Sequence, residues 1–225
     1  MKKQRILLIA ALLVLSILVV ASAAALAKGP KPPPPEQRIL QKDDLPEDAR
    51  IAVERRVTSA SFRGPEAPAN VPLQAEGFLE GYRFDAWYPC ILQSHDGQSM
   101  VYVLHIVYQF QDKAQAAAAL ERQLAFYENY KRTPEYVKVD AVDLDETFIA
   151  RNGVSGKAMR VEYSVALVDG ADQPATLHQG DDYETYYFHG VKGDTLIFLM
   201  VDSFHPPDLA TREVFDDLVP KVVQR

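Results

Sequence analysis

The chain has 225 residues, 24 Lys or Arg against 31 Asp or Glu, a net charge of −7 at neutral pH and a single cysteine. That balance, with no dense Lys/Arg cluster, excludes a surface built for nucleic acid, because the average field repels a polyanion. One cysteine excludes an intramolecular disulfide, so the hydrophobic core must hold the fold alone.

Ile6 to Ala27 is apolar except for Ser16 and Ser22 and follows Lys2, Lys3 and Arg5. A basic start, a Leu/Ile/Val-rich stretch and small residues ending Ala25-Leu26-Ala27 follow the order of a secretory signal, with a cut after Ala27. The stretch is also long enough to cross a hydrocarbon core about 30 Å thick, so residues 1–27 read as a signal peptide or as an uncleaved membrane anchor. In both cases the basic end stays inside and the domain faces outward, secreted or anchored to the cytoplasmic membrane. Three of the 24 basic residues precede the cut, leaving 21 against 31 acidic ones in the remainder. The residue after the cut is Lys28, which excludes lipid attachment at Cys90, and the neighbours Trp87, Tyr88, Ile91 and Leu92 predict a buried, inert thiol there.

Residues 28–39 contain Pro30, Pro32, Pro33, Pro34 and Pro35 and read as a Pro-rich linker, because prolines lack the donor that helices and sheets require. One globular domain is expected over residues 40–225. Arg50 to Phe62 reads as a strand, and Arg63 to Glu76, with Pro65, Pro68 and Pro72, as a loop. Gly77 to Leu92 and Ser99 to Phe110 are predicted to pair antiparallel around Asp96-Gly97, where glycine admits the positive φ of a tight turn. Asp112 is placed to cap a helix reaching Lys131, with Ala117, Leu120, Leu124 and Tyr127 as its apolar stripe.

Glu146 to Ala150 and Lys157 to Leu167 read as strands around a second hairpin signal, Asn152-Gly153, and Tyr183 to His189 and Thr195 to Phe204 as strands around Gly190 to Asp194. A helix after Pro206 and Pro207 runs to Val222, burying Val214, Phe215 and Leu218, with Pro220 fraying its end. A shift of 94 residues superimposes Val103 on Ile197, Leu104 on Phe198, Leu120 on Val214 and Leu124 on Leu218, so a two-fold internal duplication is a further expectation. Hairpin-joined strands with two long helices predict an α+β fold, an antiparallel β-sheet with both helices packed on one face.

The signal and linker, the Asp44-Leu45-Pro46 entry and strands followed by helices at Asp112 and Asp208 resemble exported PsbP/Mog1-like domains and the lipoprotein and sensor-type α+β domains of bacteria and archaea. The resemblance implies a sheet-and-helix binding module and names no ligand.

No catalytic spacing stands in the sequence. Ser94-His95-Asp96 has the composition of a hydrolase triad, but three consecutive residues cannot place an imidazole between a hydroxyl and a carboxylate. Gly153-Val154-Ser155-Gly156-Lys157 has neither nucleophile-elbow nor phosphate-loop spacing. The five histidines never form H-x-H or H-E-x-x-H, although His105, His189 and His205 fall in or beside strands of one sheet. Asp140, Asp143, Asp145 and Glu146 lack the glycine and regular oxygen spacing of a calcium loop and read as a solvated acidic loop. No metal site and no cofactor is assigned.

Tyrosines on strands suit either a core or a partly wet surface. Alternation puts Val101, Val103, His105, Val107 and Gln109 on one face of their strand and Thr195, Ile197, Leu199, Val201 and Ser203 on one face of another, mixing polar with apolar groups as a pocket does. His105, Gln109, Thr195 and Ser203, with Tyr187 and His189 nearby, are therefore the ligand-binding candidates. The functional expectation is an extracytoplasmic, non-catalytic domain binding a small ligand or an envelope protein, attached to the membrane through its N-terminal segment if that is uncleaved. The alternative is an exported hydrolase or metal-dependent enzyme whose site assembles only in three dimensions.

Overall fold

The computed structural model describes residues 33–61, 68–94, 97–130, 137–164, 182–203 and 209–225. The apolar N-terminal stretch, residues 28–32 of the Pro-rich linker and the Ser94-His95-Asp96 turn after Ser94 lie outside them, as does His205. In chain order the elements are α1 (Pro35–Arg38), β1 (Arg50–Val57), a 3-10 segment (Pro68–Gln74), β2 (Phe78–Ser94) and β3 (Gly97–Phe110), followed by α2 (Lys113–Tyr130), β4 (Val137–Val142) and α3 (Glu146–Arg151). The remainder is β5 (Val154–Ser164), β6 (Asp182–Lys192), β7 (Thr195–Ser203) and α4 (Leu209–Gln224).

The strands form one seven-stranded antiparallel sheet in the order β1-β2-β3-β7-β6-β5-β4. The two hairpins predicted around Asp96-Gly97 and Gly190 to Asp194 are present as β2–β3 and β6–β7. Gly193 has φ 62°, the left-handed conformation that the second turn requires of a residue without a Cβ. Asp112 caps α2 as expected, its Oδ1 accepting from the Gln115 N–H at 2.9 Å.

Successive strand residues point to opposite faces, and both faces are apolar in the middle of this sheet. Val101, Val103 and Val107 of β3 with Ile197, Leu199 and Val201 of β7 pack against Phe215, Leu218, Val222 and Val223 of α4. Leu104, Ile106, Tyr108, Leu196 and Phe198 pack on the other side against Ala116, Ala119, Leu120 and Tyr127 of α2. The two long helices therefore cover opposite faces, which corrects the expectation of both on one face. Each face of a central strand carries its own apolar stripe, and each stripe needs a separate cover.

This arrangement also removes the duplication. The 94-residue shift matches β3 to β7 with their faces in phase, whereas a repeat would then place α2 and α4 on the same side. The similarity of pattern reflects the alternation and helical periodicity that any strand-then-helix unit must carry.

Further differences are local. The buried stripe of α2 is Ala116, Ala119, Leu120, Gln123 and Tyr127, so Ala117 faces solvent. Glu146 to Ala150 is helix and not strand, because the Asp145 carboxylate accepts from the Phe148 N–H at 2.9 Å and outweighs the strand preference of Phe148 and Ile149. Asn152-Gly153 accordingly ends α3 instead of turning a hairpin, with Gly153 at φ 71° after the helix. β5 finds its outer partner in β4, which occupies part of the supposed acidic loop. α4 continues through Pro220 to Gln224.

The compact unit begins at Pro35, earlier than the linker boundary at residue 39. α1 opens on Pro35, where a missing N–H is tolerated, and residues 38–40 are buried. Ile39, Leu40, Leu45 and Ala49 form a strap over the α4 face of the sheet. The strap is tied at its far end, where Lys221 Nζ donates to the Asp44 carbonyl at 2.8 Å and Arg225 pairs with the Asp44 carboxylate at 2.5 Å.

Candidate functional site

His105, Gln109 and Thr195 do come together on one face, as alternation required, and the strap fills the space above them. The fully buried His105 accepts the Leu40 N–H at Nδ1, 3.0 Å away. The Arg38 guanidinium donates to Thr195 Oγ1 and to Gln109 Oε1. Desolvation lowers the Arg38 pKa, partly offset by the Asp194 and Glu36 carboxylates. Ser203 stands opposite Val101 in the β3–β7 register, and its side chain lies outside the described ones.

Tyr187 and His189 lie on the other face, beneath α2. His189 Nε2 is 3.1 Å from Tyr127 Oη, and its ring stacks on Tyr187 with the planes 10° apart. The candidate residues thus divide between two interiors instead of lining one open surface. Burial depresses both imidazoles to about 3, that of His105 with a further contribution from Arg225, so both are neutral at physiological pH. They sit on opposite faces, and among the described residues no group of three or more His, Cys, Asp or Glu is placed to hold a metal ion.

Most strand aromatics are also interior. Phe84, Tyr108, Tyr186 and Phe188 are buried, and Tyr108 donates to the Ala69 carbonyl at 2.7 Å. A half-buried polar group remains on the α2 face, where Trp87 packs on Tyr102 with centroids 4.5 Å apart and Tyr102 Oη donates to Asp85 at 2.8 Å. Arg83 binds the same carboxylate, so Asp85 is stabilised by two partners.

An open concavity lies elsewhere among the described residues, at the β4 edge. A groove of about 620 Å³ runs between β4, the β4–α3 connection, α3 and the start of β5. Its volume lies in the range of small-ligand sites. Val142, Leu144, Ile149, Val154 and Ala158 supply apolar lining, and all five belong to the α4-face core or pack against it. Asp140, Asp143, Glu146, Ser155 and Lys157 supply its polar lining. Asp140 is held by Lys138 at 2.9 Å, whereas Asp143 and Glu146 have no ion-pair partner among the described residues.

The register explains the groove. β4 pairs with Ala158 to Tyr163 of β5, while the same strand pairs with β6 along its whole length from Val154. β4 stops at Val142 because the chain turns into the Asp145-capped helix α3. Val154 to Lys157 are therefore left with no strand neighbour on the outer side among the described residues.

No family model matches the chain, and no curated protein matches it. The chain is similar in structure to the extracellular domain of PknH from Mycobacterium tuberculosis, at TM-score 0.49 and 10% identity over 88% of this chain and 100% of that one. It is similar also to an uncharacterised protein from Mycobacterium smegmatis, the Rv0999 ortholog, at TM-score 0.32 and 8% identity over 81% and 93% of the two chains.

The groove is what the sequence reading missed. Its acidic residues were visible but read as a solvated loop, because the Val-Lys-Val-Asp-Ala-Val alternation of β4 is short and charged. The groove's polar lining is Asp140, Asp143, Glu146, Ser155 and Lys157, and among the described residues none of these belongs to a group placed to hold a metal ion.

Proposed function

We propose that this chain is an extracytoplasmic, non-catalytic binding domain whose ligand sits in the β4–α3–β5 groove. The observation that carries this reading is an open groove with apolar lining and two carboxylates, Asp143 and Glu146, that lack ion-pair partners among the described residues, beside a stretch of β5 with no outer strand neighbour among them. Apolar floors supply affinity and a few fixed polar groups supply orientation. The basic and apolar order of residues 2–27 supports export, and the prolines between residues 30 and 35 support a spacer that holds the domain away from the membrane if the N-terminus is retained.

The test uses the purified full chain and a panel of ester, phosphate-ester and glycoside substrates beside a panel of extended peptides, amphipathic amines and oligosaccharides. No substrate is turned over, and at least one ligand raises the melting temperature. Ala150→Trp, at an exposed position lining the groove, abolishes that shift while the unliganded melting temperature stays in place. Turnover that disappears in Ala150→Trp would establish an enzyme instead.

A further inference from the structure

We infer that the groove takes an extended peptide strand, which continues the line of β4 and pairs antiparallel with Val154 to Lys157. This rests on the reading of the groove as the binding site and goes beyond it by naming the partner: an extended segment of another protein with a Lys or Arg at its N-terminal end.

The backbone carries the first part of the argument. Among the described residues β5 has an inner neighbour along its whole length and an outer neighbour only from Ala158 onward, so the four residues Val154 to Lys157 form a notch in the described sheet edge. At about 3.3 Å per residue the notch is about 13 Å long. An antiparallel edge presents alternate backbone donors and acceptors outward, ready to template another strand. Lys138 and Asp140 place charges on β4, as edges guarded against self-pairing do, whereas the notch carries the small residues Ser155 and Gly156. A Cβ at Gly156 would stand 2.5 Å from the His189 carbonyl oxygen, so the residue keeps this end of β5 close to β6 and in line as a template.

Side chains carry the second part. Residues of an added strand opposite Val154 and Gly156 project to the α4 face, where Leu144 and Ile149 provide apolar contact. The alternating residues project to the other face, beside exposed Ser155 and Lys157. A strand running in the direction of β4 begins where β4 ends, opposite Lys157 and next to the exposed Asp143 and Glu146, so a cation there meets one ammonium and two carboxylates that lack partners among the described residues, a net negative surrounding. Backbone pairing with pockets for alternate side chains is the recognition mode called strand addition.

The experiment is calorimetric titration of the full chain with three pentapeptides. The parent is acetyl-Lys-Val-Thr-Val-Thr-amide, the second has Glu in place of Lys, and the third is the parent N-methylated at alternate amides. The parent binds, and the other two bind at least tenfold more weakly. Asp143→Lys/Glu146→Lys reverses the preference between the Lys and Glu peptides, and Ala150→Trp removes binding. Equal binding of all three overturns strand addition, because neither backbone nor charge is then read. Absence of binding, while another ligand still gives a melting shift sensitive to Ala150→Trp, overturns this inference and leaves the groove as the site. Self-association that is lost in Ala150→Trp would show a second copy in the notch and overturn it also. If no ligand of any kind responds to Ala150→Trp, the reading of the groove itself falls.

Discussion

Lowering the pH should destabilise this fold steeply, through two histidines on opposite faces of the sheet. His105 and His189 are fully buried, and burial depresses both to about 3, against about 6.5 in an unfolded chain. The unfolded chain therefore takes up each proton first. The contribution of the neutral imidazoles is fully present above about pH 6.5 and is lost as the pH falls toward 3. Between pH 7 and pH 5 each histidine costs about 2 kcal/mol, and the pair about 4 kcal/mol, a large part of the roughly 5 to 15 kcal/mol of a typical domain. Urea denaturation at the two pH values measures this directly. His105→Asn keeps an acceptor for the Leu40 N–H, and His189→Phe keeps a ring among Tyr127, Tyr187 and Phe198. Each variant should lose about half of the pH dependence and the double variant most of it. A wild-type stability that is flat from pH 7 to pH 5, or a slope unchanged in the double variant, would refute the reasoning.

Other substitutions probe the remaining architecture. Arg38→Ala removes the donors to Gln109 and Thr195 and should cost about 2 to 3 kcal/mol in chemical denaturation, with faster amide exchange at Leu40 as the local sign of a loosened strap. Gly156→Ala places a methyl group 2.5 Å from the His189 carbonyl oxygen and 2.9 Å from the Gly190 Cα, both backbone atoms that yield only with the sheet. Its melting temperature should fall by an amount corresponding to about 1 to 3 kcal/mol. Ala116→Lys should unfold the domain or nearly so, while Ala117→Lys should leave stability within about 0.5 kcal/mol, as circular dichroism melts would show.

Local signals explain which parts of this fold were legible in the sequence. The β2–β3 and β6–β7 hairpins announce themselves through alternation and a glycine at the turn, and α2 through an aspartate cap and helical periodicity. α3 departs from the strand expectation because Thr147, Phe148 and Ile149 favour strands and Asn152-Gly153 imitates a hairpin turn, while the deciding interaction is one capping carboxylate. The face that each helix covers is not a local property, and alternation leaves both faces of β3 and β7 equally apolar.

The same limit applies to the site. Period-two alternation correctly grouped His105, Gln109 and Thr195, but their cover comes from Arg38, 157 residues before Thr195, within what reads as linker. A single buried arginine beside a proline run carries no sequence signature. The groove depends on where β4 stops relative to β5, a matter of register that no residue type reports.

Amide hydrogen exchange across β5, with and without the acetyl-Lys-Val-Thr-Val-Thr-amide peptide, tests the account of the groove most directly. Saturating peptide should slow alternate amides within Val154 to Lys157 by at least tenfold, with no change along β1 at the far edge of the sheet. Protection confined to β1, or to the half-buried surface around Trp87 and Tyr102, with Val154 to Lys157 unchanged, would contradict it.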